Sequence, residues 1–155
     1  MAAQESESDH GNDLTIGFLN IRGQTKFSKA KQKMIEESLK RENLDILHLQ
    51  EVQIDDNSFD QCEFIQNQFQ IVKNNAQNGY GVCSIVRRSL NISNVRALPG
   101  GRIVSFDIGR TRFGNIYISR AGQRRKLIVK KCVERPFLTF SSTPSTDVSV
   151  VIGIA

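Results

Sequence analysis

Two short apolar segments that each end in a polar residue, with one amphipathic helix between them, restrict the fold of this chain more than any other feature. Residues 14–20 are apolar and β-branched and end in Asn20, and the apolar run in residues 45–51 stops at Glu51. Between them Ser28 is a predicted N-cap for a helix that ends near Glu42. This strand–helix–strand pattern predicts two parallel strands joined by a right-handed crossover.

The following residues predict a short helix and then a series of antiparallel strands. The helix is expected near residues 58–69, with Asn57 or Ser58 as its cap and a regularly spaced apolar face. Gly, Asn, Pro and Asp separate the strand-like runs, and Pro99-Gly100 predicts a type II turn. The runs are residues 70–74, 81–87, 92–98, 102–108 and 112–118. The whole pattern predicts a mixed-sheet α/β fold.

Charge divides the chain into an acidic start and a basic body. Residues 1–13 contain four acidic and no basic side chains, and we expect them to form a disordered tail. The remaining residues carry twenty-one Lys and Arg against twelve Asp and Glu, a net charge of +9. This excess favours a polyanionic partner such as nucleic acid, although an ordinary solvated cationic surface has the same composition.

Several classes of protein are disfavoured by composition. No run of about 18 apolar residues is present, so no membrane-spanning segment is expected. The acidic start lacks the apolar core of a secretory signal, and the three cysteines include no C-x-x-C pair. We therefore expect an intracellular protein, nuclear or cytoplasmic and not secreted.

The first two predicted strands place Asn20 and Glu51 where ligands collect in α/β proteins. Parallel neighbouring strands bring their carboxyl ends to one edge of the sheet. A carboxylate beside an amide is a suitable site for Mg²⁺, which often uses one or two carboxylates together with waters and substrate phosphate. A solvated acid at a strand end is the alternative. A basic cluster at the start of the helix is either solvated or faces phosphate; it comprises Lys26, Lys29, Lys31 and Lys33.

The order of several short strings resembles one protein family. "IGFLNIRG", "LDILHLQEV", "YGVCSIVRRS", "GRIVSFDI" and "FGNIY" follow one another at similar gaps in the endonuclease/exonuclease/phosphatase (DNase I-like) superfamily. Within it, residues 14–118 are most similar to the apurinic-type endonuclease domain of LINE-type (non-LTR) retrotransposons, a reverse transcriptase-associated domain.

The resemblance implies a DNase I-like α/β sandwich that hydrolyses phosphodiester bonds of DNA with Mg²⁺ and no small-molecule cofactor. Asn20 matches the family's Asn beside metal and phosphate, and Glu51 matches its metal ligand. Tyr117 matches a Tyr near the scissile phosphate, although a tyrosine that caps a strand end is an equal alternative. Arg22 stands where apurinic endonucleases often have Asp, and an Arg there favours phosphate binding over metal binding.

The chain departs from the family pattern after residue 118. The motif Gly-Asp-x-Asn is missing, and Ile154 and Ala155 stand in its place if residues 148–155 form the corresponding strand. The family's closing Asp–His pair is also missing, and His48 is expected to be a packed strand residue. We therefore expect a truncated domain without its C-terminal half, an incomplete catalytic set, and residues 119–155 as a divergent basic and Ser/Thr-rich tail.

The truncated pattern has consequences for solubility and for activity, and it leaves alternative functions open. A half-sandwich exposes one sheet face, which predicts poor solubility or association through that face. DNA is the expected partner, and little or no cleavage is expected. The alternatives are a non-catalytic remnant that binds nucleic acid, a structural or unstable fragment with no function, and a phosphatase-type member of the same superfamily.

Overall fold

A computed structural model describes residues 13–22, 27–77, 80–118 and 147–154 of the 155-residue chain. Within these ranges, eight strands form two four-stranded sheets, and two helices accompany the first sheet. In chain order the elements are β1 (Ile16–Asn20), α1 (Lys29–Arg41), β2 (Ile46–Val52), α2 (Glu63–Gln68), β3 (Phe69–Asn74), β4 (Gly81–Arg87), β5 (Ile92–Ala97), β6 (Ile103–Ile108), β7 (Thr111–Ile118) and β8 (Asp147–Ile154). The expected acidic tail at residues 1–13 lies almost wholly outside the described residues, as do residues 119–146.

The first sheet has the order β1-β2-β4-β3. Strands β1 and β2 are parallel, with Asn20 paired to Gln50, and the predicted strand–helix–strand unit is confirmed. Strand β4 is antiparallel to both β2 and β3. The sheet is therefore mixed, and the carboxyl ends of β1 and β2 meet at one edge.

Helix α1 begins at the cap that its sequence predicts. The Ser28 side chain accepts a hydrogen bond from the Lys31 N–H at 3.2 Å, so this cap satisfies one of the free donors at the helix start. Ile35 and Leu39 are fully buried against the outer face of the first sheet. This burial holds α1 against the sheet that contains β1 and β2, the two strands that the helix connects in the chain.

The predicted helix at residues 58–69 is wrong in its extent. Only Glu63–Gln68 is helical, and its N-cap, Cys62, makes no side-chain capping bond. Phe59 is buried, and its backbone is in the left-handed region, with a φ of 64°. A right-handed helix cannot continue through a residue in this conformation. The Ser58 hydroxyl instead accepts a hydrogen bond from the Asp55 N–H, so the residues before Cys62 form turns.

The second sheet has the order β5-β6-β7-β8. Strands β5, β6 and β7 are antiparallel neighbours, as the hairpin pattern predicts. Gly100 has a φ of 102°, the left-handed conformation that the second central residue of a type II turn requires. Strand β8 lies parallel to β7, with Gly153 paired to Tyr117.

The two sheets pack face to face. Ile46, Val82 and Val86 from the first sheet form one apolar core with Val104 and Phe106 from the second. The inner face of each sheet is therefore covered by the other, and association through an uncovered sheet face stays a prediction. Neither helix in the described residues has the length and apolar character needed to cross a membrane.

Candidate metal- and phosphate-binding site

Asn20, Glu51 and Tyr117 converge at one edge of the sandwich. The Asn20 amide donates a hydrogen bond from Nδ2 to Glu51 Oε1 at 3.1 Å. The Tyr117 hydroxyl donates to the same Oε1 at 2.9 Å. Residues from β1, β2 and β7 therefore form one hydrogen-bonded cluster, which unites three of the four side chains that the sequence proposed.

A β-bulge turns Glu51 toward this edge. Gln50 pairs with Val82 and Val52 pairs with Gly81, so Glu51 is an extra residue in the strand. Its φ of 55° lies in the left-handed region, which is uncommon for a residue other than glycine. Strain of this kind is concentrated at functional sites, where the surrounding contacts hold the residue in place.

Tyr117 has two charged neighbours. Burial, followed by the hydrogen bond to the Glu51 carboxylate, raises the pKa of the Tyr117 hydroxyl above its ordinary value, so the group is a proton donor at neutral pH. The Arg102 guanidinium lies over the Tyr117 ring, with its central carbon 4.6 Å from the ring centroid. Sequence reasoning missed Arg102, because nothing in a single sequence links an arginine at a strand start to this ring.

Arg22 and the basic start of α1 surround the cluster without joining it. The Arg22 backbone N–H donates to Asn20 Oδ1 at 2.9 Å and orients that amide, while the exposed side chain makes no hydrogen bond with Asn20, Glu51 or Tyr117. A cavity of about 590 Å³ opens beside Glu51 and is lined by Phe27, Lys29, Lys31, Asp55 and Tyr80, among others. Two lysines of the predicted cluster therefore face the same space as the Glu51 carboxylate.

The donor set is compatible with a hard divalent cation. Oε1 of Glu51 accepts both hydrogen bonds of the cluster, and Oε2 accepts none from the described residues. Mg²⁺ keeps several waters and needs only one or two protein carboxylates. Glu51 would hold such an ion, and Asn20 and Tyr117 would fix the orientation of its carboxylate. The described ranges contain no group of three or more His, Cys, Asp or Glu side chains placed to hold a metal ion.

Two buried amides join the strands that carry the cluster. Gln50 Nε2 donates to the Ile116 carbonyl at 3.0 Å, and Asn115 Nδ2 donates to the carbonyls of Leu49 and Cys83 at 3.0 and 2.9 Å. Sequence reasoning quoted both residues but gave neither a role at the site. The signal was the alternation of β7, which places Asn115 on the same face as Phe113 and Tyr117.

His48 and the buried thiols are part of the interior. His48 is fully buried, as predicted, and its Nδ1 lies 2.7 Å from the Ser84 hydroxyl oxygen. Burial lowers the pKa of His48 to about 4, so the ring is neutral at physiological pH. Cys62 and Cys83 are free and buried, and burial raises the pKa of each thiol.

Strand β8 ends beside the cluster. Its parallel register pairs Gly153 with Tyr117 and Ile154 with Ile118. Residues 148–155 contain no acidic residue, and the one carboxylate of the strand, Asp147, lies at its opposite end. The correspondence of Ile154 to a polar family motif stays a prediction.

Solved structures resemble this fold at low sequence identity. A truncated Caenorhabditis elegans TDP2 is 19% identical, with 83% of this chain and 54% of that chain covered and a TM-score of 0.52. An AP endonuclease from Archaeoglobus fulgidus is 18% identical, with coverages of 81% and 50% and a TM-score of 0.54. D. rerio TDP2 complexed with a single-strand DNA product is 13% identical, with coverages of 91% and 59% and a TM-score of 0.55.

These comparisons support the fold rather than a close relationship. No family model matches the chain, and no curated protein matches it. The chain spans about half the length of the solved structures that it resembles. Mixed α/β topology, two packed sheets and these structural neighbours together show that this chain has the fold of a partial DNase I-like α/β sandwich.

Proposed function

We propose that this chain carries the metal- and phosphate-binding part of a DNA phosphodiesterase site and that, by itself, it cleaves DNA little or not at all. The observation that carries the proposal is the convergence of Asn20 and Tyr117 on one oxygen of Glu51, with the second oxygen left for a cation. The names of the structural neighbours, an AP endonuclease and a TDP2 with a DNA product, support DNA as the substrate class.

Each residue has a defined role in this proposal. Glu51 holds Mg²⁺, and Asn20 keeps the carboxylate directed toward the ion. When bound, the ion supplies charge stabilisation at a phosphoryl oxygen. The Tyr117 hydroxyl donates its single proton to Glu51 Oε1 in the free chain, and on phosphate binding it turns this O–H to a non-bridging phosphate oxygen, where negative charge develops. Arg22, Lys29 and Lys31 attract the phosphate backbone.

The expectation of weak cleavage rests on the groups available to activate water. Glu51 is assigned to the cation, and Asp55, which lines the same cavity, already accepts hydrogen bonds at Oδ1 from the Asn57 N–H and the Ser58 hydroxyl. His48 is neutral, buried and engaged with Ser84. A general base must lie within hydrogen-bond reach of the attacking water. Without such a group, binding of metal and DNA persists while hydrolysis is slow.

The finer assignments of the sequence analysis are part of the proposal. Descent from the apurinic-type endonuclease of LINE-type retrotransposons rests on the strings around Asn20 and Glu51. An intracellular location, nuclear or cytoplasmic, rests on composition. Truncation of the domain rests on the missing family motifs.

The first prediction concerns Mg²⁺ binding. Calorimetric titration of the full chain should detect a Mg²⁺ site that Glu51→Gln abolishes, because the substitution replaces the charged oxygen ligand by a neutral amide. The matched control is Glu37→Gln, since Glu37 is exposed on α1 and should not contribute. Equal Mg²⁺ binding by Glu51→Gln and the parent protein would refute the assignment.

A plasmid-nicking assay distinguishes an active nuclease from a non-catalytic nucleic-acid-binding domain. We expect little conversion of supercoiled DNA with Mg²⁺ and no difference in the presence of EDTA. Robust metal-dependent nicking that disappears in Glu51→Gln would show that the chain is an active nuclease. Binding of DNA without any Mg²⁺ binding would instead favour a non-catalytic nucleic-acid-binding domain.

A further inference from the structure

The end of the sandwich that carries Glu51 and Tyr117 is joined by amide side chains as well as by apolar packing. Gln50 reaches from β2 to a backbone carbonyl of β7, and Asn115 reaches from β7 to backbone carbonyls of β2 and β4. Both side chains are buried between the two sheets. We call Gln50 and Asn115 together the amide clamp.

The amide clamp connects the two backbone segments that hold the candidate site. Gln50 directly precedes Glu51, and its hydrogen bond ends on Ile116, which directly precedes Tyr117. Asn115 is two residues from Tyr117, and one of its acceptors, Leu49, is two residues from Glu51. A shift of one sheet over the other changes these distances together with the distance from Glu51 to Tyr117.

Apolar packing alone does not set that distance. The hydrophobic contribution is non-directional and proportional to the buried area, so it changes little when two sheets slide by a fraction of an ångström. Hydrogen bonds weaken steeply when their distance or angle departs from the optimum. In the dry interior they are also electrostatically stronger than in water.

The net contribution of the Asn115 side chain to the stability of the fold does not explain why an amide is buried at this position. Its two hydrogen bonds each stabilise the fold modestly, whereas its buried Oδ1 has no partner among the described residues, and an unsatisfied buried acceptor destabilises by a comparable amount. These contributions nearly cancel. The remaining effect of the amide is directional, because it constrains where β7 lies relative to β2.

We propose that Gln50 and Asn115 are positioning residues that set the hydrogen bond between Tyr117 and Glu51 across the two sheets. The value of this bond for metal and phosphate binding rests on the proposed function above. The geometric claim does not, since it concerns only residues of this chain.

The chain offers a direct spectroscopic readout. It contains no Trp and two Tyr, so Tyr80→Phe leaves Tyr117 as the single tyrosine. A phenol that is hydrogen-bonded to a carboxylate loses fluorescence by proton transfer in the excited state. Emission from Tyr117 in metal-free buffer therefore measures its contact with Glu51, and Glu51→Gln in the same background defines the unquenched level.

The test compares the clamp with two matched amides elsewhere. In the Tyr80→Phe background, Gln50→Met and Asn115→Leu should each raise the emission toward the Glu51→Gln level. Gln70→Met and Asn74→Leu are the controls, since these residues also donate to backbone carbonyls but do not contact β2 or β7 through them. Their emission should remain at the parent level.

Two outcomes overturn the proposal. Parent-level emission in Gln50→Met and Asn115→Leu, with native circular dichroism, would show that the contact forms without the clamp. An equal rise in the two controls would show a general loosening of the sandwich. If either clamp variant does not fold, Gln50→Asn decides in its place, because it shortens the reach of the amide and preserves its polarity; emission at the parent level then refutes the proposal.

A second measurement separates this inference from the proposed function. Groups that orient a metal ligand typically change metal affinity by about 10- to 100-fold when they are removed, and we expect a loss of that size for Mg²⁺ in the clamp variants. If the parent chain binds no Mg²⁺, the proposed function fails while the emission still decides whether the clamp positions Tyr117. The other outcome is that Mg²⁺ binds with unchanged affinity in variants whose emission is raised. The clamp then sets the contact between Tyr117 and Glu51 but does not affect metal binding, and its role in positioning the metal ligand is refuted.

Discussion

At the scale of single residues, the interior contains a histidine whose protonation opposes folding. His48 is enclosed between the sheets, stacks on Phe18 with ring centroids 6.0 Å apart, and has no partner for Nε2 in the described part of the chain. Adding a proton there places a charge in an apolar environment. Because the pKa is lowered in the folded chain, the unfolded chain binds the proton first.

This residue predicts a specific dependence of stability on pH. With a pKa near 6.5 unfolded and about 4 folded, His48 should reduce the free energy of unfolding progressively as the pH falls from about 6.5 to about 4, by about 3 kcal/mol in total. Urea unfolding across this range should show a shallower loss in His48→Gln. His10→Gln is the control and should retain the parent slope; identical slopes for His48→Gln and the parent would contradict the prediction.

Residue-scale prediction from sequence succeeded where backbone position determines the contact. Asn20 and Glu51 follow from the rule that parallel strands present their carboxyl ends at one edge. The contact with Tyr117 and the stacking of Arg102 depend on how the second sheet lies over the first, which no local pattern encodes. The resemblance to a family supplied Tyr117, and nothing supplied Arg102.

At the scale of elements, strand boundaries were predicted to within one or two residues, and the irregular features were not. The strands β4 and β6 could be predicted from their sequence runs because they are buried on both faces and are therefore rich in apolar residues. The shortened α2 results from Gln32, whose side chain accepts a hydrogen bond from the Phe59 N–H at 2.8 Å and holds that residue in a left-handed conformation. Such a tertiary contact overrides local helix propensity.

The bulge in β2 predicts an inverted preference for glycine. At the left-handed position of Glu51, Glu51→Gly should be more stable than Glu51→Ala by roughly 1 kcal/mol, because both lose the carboxylate and only Ala has a Cβ that opposes this φ. Denaturant unfolding of the two variants measures the difference. In a regular strand the order reverses, and Lys73 on β3 is the control site, where Ala should be the more stable. Greater stability of Glu51→Ala would mean that the bulge is relaxed in solution.

At the scale of the whole molecule, the basic body and the cavity beside Glu51 predict a salt-dependent interaction with DNA. If Arg22, Lys29 and Lys31 each contact one phosphate, a fourfold increase in salt should weaken binding roughly 40-fold through counterion release. Fluorescence anisotropy with a short duplex at several salt concentrations measures the slope. Substituting all three residues by Gln should remove most of it.

The control for this prediction changes the same charge elsewhere. Lys40, Arg41 and Arg110 are exposed and do not line the cavity, so their triple substitution by Gln should leave more of the slope in place. Removal of residues 1–13, which carry four negative charges, should strengthen binding by reducing repulsion. Affinity that is independent of salt would contradict a phosphate-binding surface.

The class of the fold could be predicted from the sequence, whereas the completeness of the domain could not. The βαβ unit and the following hairpins predicted a mixed α/β arrangement, but the missing family motifs suggested half of a sandwich. The structure packs two four-stranded sheets together, and in the second sheet β8 adds to β7 in parallel across a long sequence separation. Pairings between distant segments leave no local periodicity to detect.

The position of Glu51 on one sheet and Tyr117 on the other has a thermodynamic consequence. A ligand that needs both layers binds the assembled chain and has no affinity for either layer alone, so its occupancy is linked to assembly. Saturation at one hundred times the dissociation constant would add about 2.7 kcal/mol to the resistance against unfolding. For a small protein this is a substantial fraction of total stability. Cellular supply of the cation would then govern how long the chain survives proteolysis as well as what it binds.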